Sequence, residues 1–264
     1  MKPSLAPRSP GEISDRDYVN SLARGLEVIC AFTRTRPRMT LSEIARATGM
    51  TRATVRRFLL TLVREGYAET DGKYFSLRPK VLELGYSALS SISFLDVAQP
   101  ILTRLAETLR ESCFLAVLSG HDLFYVARAN ADRLVNVGIS VGTRVPAYSV
   151  STGRMLLAAL PEDALHAYLD QVTLTKLTPN TVTSKVKLRS LVEDARRQDY
   201  CIVDQEMEEG LAAISVPVRD GQGTVIAALN VCCPATRITP ADMGGRILTE
   251  LRTASQRITA ALQH

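Results

Sequence analysis

Apolar residues recur at helical spacing from Tyr18 onward. Leu22, Leu26, Ile29 and Cys30 share one face, which predicts a first helix ending near Pro37. A second helix is expected over 40–49. Thr40 or Ser42 can cap it, Leu41, Ile44 and Ala45 give it an apolar stripe, and Gly49 can close it. A third runs from Thr51 to Glu65, with Val55, Phe58, Leu59 and Leu62 at i, i+3, i+4 and i+7. After Gly66 the period changes, and 67–77 reads as two short strands about an Asp71-Gly72 turn. Three helices and a hairpin in this order predict a winged helix-turn-helix.

Residues 81–98 read as an amphipathic linker helix on Val81, Leu82, Gly85, Leu89, Ile92 and Leu95. Such a helix joins two domains or pairs with a second chain. From residue 99 the pattern mixes periods of two and 3.6. Helices are expected over 100–109, 151–160, after Pro161 and over 184–197. The last is capped by Thr239, with Pro240 first and Asp242 in its opening turn. Strands are expected over 114–119, 123–127, 134–139, 211–219 and 224–232. Antiparallel strands with covering helices make this an α+β domain. The predicted division is therefore a disordered tail over 1–17, a DNA-reading unit over 18–80, the linker over 81–98 and a second domain over 99–264.

Charge sharpens this division. The chain of 264 residues has a net charge of +5. Residues 1–80 hold 15 Lys and Arg against 8 Asp and Glu, and the remainder holds 17 against 19. A basic first third beside a near-neutral remainder suggests that one part meets a polyanion. With 46% hydrophobic and 22% charged residues the chain is neither disordered nor fibrous. Its five cysteines are scattered and odd in number, as expected of reduced thiols in a cytoplasmic protein. No secretory pattern or membrane-length apolar run is read.

The polar face of the third helix carries Arg52, Thr54, Arg56, Arg57 and Thr61, with Thr51 at its start. Arginine grips phosphate or presents paired donors to guanine, and threonine meets phosphate or a thymine methyl. Lys73 at the hairpin tip and Arg24 on the first helix complete the candidate DNA-binding set; the partner is double-stranded operator DNA. A solvated charged face is the plainer alternative.

Signs of catalysis are scarce. His121, His166 and His264 stand in no metal-ligand spacing, and no P-loop or dinucleotide fingerprint occurs. Ser149-Val-Ser151-Thr-Gly153 falls one glycine short of a nucleophile elbow. No catalytic residue, metal or cofactor is expected. A small-molecule site is more credible. Ser151, Thr152 and Gly153 open a helix, where free N–H groups and the dipole favour an anion. Asn230 and Cys232 alternate with Leu229 and Val231, so one strand face is polar enough to line a pocket or to sit satisfied in a core.

Several segments together resemble the IclR family of bacterial regulators: 21–29, 41–45 with 54–59, 151–158 and 205–218. The resemblance implies a winged helix-turn-helix, a linker helix and a GAF-like effector domain, assembled as a homodimer or dimer of dimers. It implies a small organic acid held at the positions of Ser149, Ser151, Thr152, Gly153, Asp204, Leu211, Ala213, Asn230 and Cys232. Where several relatives carry cysteine or serine near Ala213 and serines at Asn230 and Cys232, this chain departs, so its ligand should differ from their small oxo-acids. The segment 141–148 leading into Ser149 is most similar to the branch governing aromatic-acid breakdown through the β-ketoadipate pathway. That implies protocatechuate, 4-hydroxybenzoate, a muconate or β-ketoadipate as effector, with Arg128, Arg133 or Arg144 available to neutralise a carboxylate. The alternatives are a regulator answering to another organic acid, a sensor acting through protein partners, or an enzyme built around Ser151.

Overall fold

The computed structural model describes residues 18–33, 35–85, 94–131 and 138–262. The chain divides into two compact units, Met1–Ser90 and Ser91–His264. The expected tail over 1–17 lies outside the described residues.

The first unit holds α1 (Asn20–Cys30), α2 (Leu41–Thr48) and α3 (Arg52–Arg64). Thr40 and Glu43 form a reciprocal capping box at the start of α2, and Gly49 closes it in the left-handed region at φ 66°. Two residues later the Thr51 hydroxyl accepts from the Thr54 amide and starts α3. Val28, Ile44, Val55 and Leu59 meet in the core. The hairpin forms as expected, as β2 (Ala68–Thr70) and β3 (Tyr74–Leu77), but β3 also pairs with an unpredicted strand, β1 (Arg38–Thr40). Three residues are too few to show alternation in sequence. The stripe read on the first helix also needs correction. Leu22 and Leu26 are 63% and 49% exposed, and Val28 is the buried residue. The helix stops at Cys30, before Pro37.

Pro79–Leu82 forms a 3-10 turn. The middle of the expected linker helix, residues 86–93, lies outside the described residues. Its far end belongs to another element: α4 spans Phe94–Leu109 and runs through Pro100, where a break was expected. Phe94, Ala98, Leu102 and Leu105 bury one continuous face, and that burial outweighs the one hydrogen bond proline removes.

The second unit is built on a six-stranded antiparallel sheet in the order β6-β5-β4-β9-β8-β7. Its strands are β4 (Ser112–Ser119), β5 (Asp122–Ala129), β6 (Arg144–Pro146), β7 (Cys201–Asp204), β8 (Leu211–Arg219) and β9 (Val225–Pro234). The short β6 and β7 carry too little pattern to be read. The expected strand over 134–139 lies mostly outside the described residues, and Gly138 and Ile139 are not in a strand. On one face pack α4 and α8 (Leu248–Ala261). The Thr239 capping box forms one turn, Pro240–Asp242, and Gly245 kinks the passage into α8. On the other face lie α5 (Ser151–Ala158), α6 (Glu162–Gln171) and α7 (Lys185–Gln198), the last capped by Ser184. This curled sheet with helices on both sides has the expected GAF-like architecture.

Candidate functional site

The first unit presents a basic helix. Arg52, Arg56, Arg57 and Thr61 are exposed on α3, and Thr54 is half-buried. Arg52 and Arg56 lie four residues apart, hence on one face. Two threonine hydroxyls already serve the helix: Thr51 Oγ1 accepts from the Thr54 amide at 3.2 Å, and Thr61 Oγ1 donates to the Arg57 carbonyl at 2.9 Å. Arg24 is exposed on α1, which packs on α3 through Gly25 and Phe58. At the wing tip the Lys73 ammonium sits 5.1 Å above the Tyr74 ring, and the Arg38 guanidinium lies 5.3 Å from the same ring. Arg38 also pairs with Asp71 at 2.6 Å. Sequence reasoning missed Arg38 because only the pairing of β1 with β3 brings it to the wing.

The second unit holds a partly open cavity of about 260 Å³ between the start of α5 and the face of β8 and β9. Its lining includes Ser149, Ser151, Leu211, Ala213, Asn230 and Cys232 from the predicted set. The register explains their convergence: Ala213 stands opposite Cys232, and Ser215 opposite Asn230. Side chains on paired residues share a face.

Thr152, Gly153 and Asp204 are not among the lining residues. Thr152 is fully buried beside Tyr125. Gly153 answers a packing need. A Cβ there would lie 2.0 Å from the Ala147 carbonyl oxygen, so only glycine lets α5 approach the turn at Ala147–Ser149. Asp204 ends β7, half-exposed, its carboxylate accepting from Gln205 Nε2. Glu206 takes its place in the wall, with Met207 and Glu208.

Glu206 is held by Arg154, a side chain almost wholly out of solvent. The guanidinium donates to both carboxylate oxygens, at 2.8 and 2.5 Å, and Nε donates to the Tyr148 carbonyl. The Val182 amide donates to the same carboxylate, and the Thr181 hydroxyl donates to the Glu206 carbonyl. One arginine thus ties the turn before α5 to the acidic loop opposite. Bidentate pairing with every remaining lone pair served is the condition under which a buried ion pair is tolerated.

Three features give the cavity its chemistry. Ser151 and Asn230 are 0% and 2% exposed, and Ser151 Oγ and Asn230 Oδ1 have no hydrogen-bond partner among the described residues. Ser151 is the first helical residue, and Val150 before it provides no side-chain cap, so the opening N–H groups of α5 lack an internal acceptor. Burial pushes the Tyr125 phenol up to about 12, opposed by the Thr152 hydroxyl, and pushes the Cys232 thiol up to about 12. Both are neutral at ordinary pH. Among the described residues no Lys, Arg or His lines the cavity. Arg144 pairs with Asp122, Arg128 binds Asn130 and the Ile139 carbonyl, and Arg133 lies outside the described residues. Tyr125 was missed in sequence, although it falls on the buried half of the alternation in β5.

A helix-turn-helix unit on the same chain as a domain holding a largely apolar cavity with a few polar groups in its wall defines a one-component regulator, which reads DNA and senses a small molecule. Comparison with known proteins agrees. The model of the IclR helix-turn-helix domain matches residues 21–72, and that of the bacterial transcriptional regulator IclR C-terminal matches 86–260. The Pca regulon regulatory protein of Pseudomonas putida is 43% identical, covering 96% of this chain and 87% of its own. The p-hydroxybenzoate hydroxylase transcriptional activator of Acinetobacter baylyi is 35% identical, covering 96% and 95%. An IclR homolog from Microbacterium hydrocarbonoxydans, solved in complex with 4-hydroxybenzoate, is 28% identical, covers 92% and 99%, and superposes with a TM-score of 0.79. The chain belongs to the IclR family of bacterial transcriptional regulators. Among the described residues no helix is long and apolar enough to cross a membrane.

Proposed function

We propose that the protein regulates genes of aromatic-acid catabolism and that a small aromatic acid in the cavity of the second unit sets its affinity for operator DNA. The observation that carries this reading is the pair of buried, unpartnered polar groups, Ser151 Oγ and Asn230 Oδ1, on residues that line one cavity. A buried polar group left without a partner costs about 1–3 kcal/mol, and a ligand that supplies the partner recovers it. The names of the similar proteins point to aromatic acids as the class.

In this reading the opening N–H groups of α5 and the Ser151 hydroxyl meet the carboxylate. Ser149, Leu211, Ala213 and Cys232 shape the cavity around the rest of the ligand. Arg52, Arg56 and Arg57 grip or read the operator with Thr54 and Thr61, while Lys73, Arg38 and Arg24 reach the backbone. The protein acts as a homodimer on a two-fold site, and the exposed stripe of Tyr18, Val19, Leu22 and Leu26 gives α1 an apolar face for a second copy. The acid changes DNA affinity only as far as it binds one arrangement better than the other.

Fluorescence anisotropy on promoter fragments, over a salt series with and without 4-hydroxybenzoate and protocatechuate, tests this. The expected result is steep salt dependence, selectivity for one fragment and a shift on adding acid. Selective binding that no acid alters would remove the effector assignment.

A further inference from the structure

Loop 205–210 supplies Glu206, Met207 and Glu208 to the cavity wall, and its backbone is held under strain. Gln205 sits in the left-handed region at φ 56°, a conformation that a residue with a side chain keeps only where its surroundings fix it. The two ends of the loop are fixed locally. The Gln205 amide donates to the Leu211 carbonyl at 2.8 Å, the Gln205 side-chain carbonyl accepts from the Gly210 amide at 2.9 Å, and the Ala235 amide donates to the Gly210 carbonyl at 2.8 Å. The middle is fixed through Glu206. Its backbone carbonyl accepts from Thr181 Oγ1 at 2.7 Å and its carboxylate from the Val182 amide at 2.9 Å, which joins the loop to segment 178–182. Arg154 then carries that carboxylate across to α5.

A buried ion pair is a poor route to stability, because apolar side chains of similar volume often do as well. What apolar side chains lack is direction. The guanidinium fork meets both carboxylate oxygens and so fixes the plane of the carboxylate. Arg154 lies one turn along α5 from Ser151, and its Nε holds the Tyr148 carbonyl in the turn before the helix. Ser149, next in that turn, has its hydroxyl 3.4 Å from Met207 Sδ. One side chain that is not itself part of the lining thus sets the helix start and the loop, two sides of the cavity, relative to each other.

We infer that Arg154 is a positioning residue for effector binding: acting through Glu206, it holds loop 205–210 against the start of α5, and the wall formed by Met207 and Glu208 keeps its place only while the pair is intact. What this says of affinity rests on the acid-sensor reading above; what it says of the loop does not. A wall set in advance spares the ligand the entropic cost of ordering it, so loss of the pair weakens binding without removing any group the ligand touches.

Hydrogen exchange read by mass spectrometry, and calorimetry with 4-hydroxybenzoate, test the inference on the full chain. The proteins compared are the wild type, Arg154→Lys, and the double variant Arg154→Met with Glu206→Leu. The double variant trades charge for apolar volume, so its thermal midpoint is expected to stay close to that of the wild type. Exchange at Gln205, Gly210 and Leu211 is expected to quicken about tenfold, while the amides of 214–218 in β8 keep their protection. Affinity for 4-hydroxybenzoate is expected to fall about tenfold in the same protein. Arg154→Lys keeps the charge and loses the fork, and should show the same pattern at smaller size, so a poorly folding double variant would not shelter the inference. Loop exchange within about twofold of the wild type would overturn it. So would acceleration spread equally through β8, which would make the pair a staple of the whole domain. Loss of loop protection with affinity intact would overturn the role in binding. A wild type that binds no 4-hydroxybenzoate would count against the acid-sensor reading, and exchange alone would then decide whether Arg154 positions the loop.

Discussion

The two faces of one pair of strands differ sharply. On β8 and β9, Ile214, Val216, Leu229 and Val231 look toward α4 and α8, and nothing polar interrupts them. One residue along in each strand, Ala213, Ser215, Asn230 and Cys232 look toward α5. Both faces are buried, yet only the second carries polar atoms without partners. A sealed apolar face serves stability. A buried face that keeps unmet hydrogen-bonding capacity is less stable than it could be, which is how a ligand site differs from a core.

Substitutions can break this comparison or sharpen it. The largest effect is expected at Gly153, where the cavity face depends on a backbone approach that no side chain permits. Gly153→Ala should cost about 4 kcal/mol or more in chemical denaturation, because the clash is with backbone and cannot rotate away. A loss under about 1 kcal/mol would mean that α5 is free to move off the turn. Next comes a paired test on one strand. Leu229→Ala on the sealed face should cost about 3 kcal/mol. Asn230→Leu, the adjacent residue, should leave the ligand-free protein unchanged or raise its stability by about 1 kcal/mol, since it removes an unmet buried acceptor. A comparable loss at both would erase the distinction between the faces.

Much of this was legible in sequence, for local reasons. Thr40, Thr51, Ser184 and Thr239 announced helix starts because a cap needs one hydroxyl and its nearest amides. Asn230 and Cys232 announced a shared face because strand alternation is strict. What failed was long-range. Glu206 could not be preferred over Asp204 without knowing that Arg154, fifty-two residues earlier, lies against it. Gly153 looked like part of an anion site because its neighbour Ala147 meets it only in three dimensions. The strands β1, β6 and β7 are too short to carry a pattern, and Leu22 and Leu26 look like core residues to any periodicity argument, whatever covers them.

The smallest effect concerns two adjacent thiols on opposite faces. Cys232 borders the cavity, and Cys233 lies in the sealed core. Burial raises both thiols, Cys232 to about 12, so neither is appreciably ionised near pH 8. With the exposed Cys30 replaced by serine, maleimide labelling should be slow. It should quicken about tenfold per pH unit toward 12 at Cys232, be slowed there by bound acid, and stay absent at Cys233. Equal labelling of both would show that the sheet opens as a whole.

The alternation of β8 and β9 also bears on how such a sensor changes over generations. Side chains at 211, 213, 230 and 232 form a small panel lining the cavity, and their intervening neighbours belong to a different core. Replacing a panel residue alters what the cavity accepts while the residues that hold the sheet to α4 and α8 stay as they are. A lineage can therefore explore new effectors at one or two positions without first acquiring compensating mutations. The twofold repeat of an extended strand separates the residues that selection can vary from those it must keep.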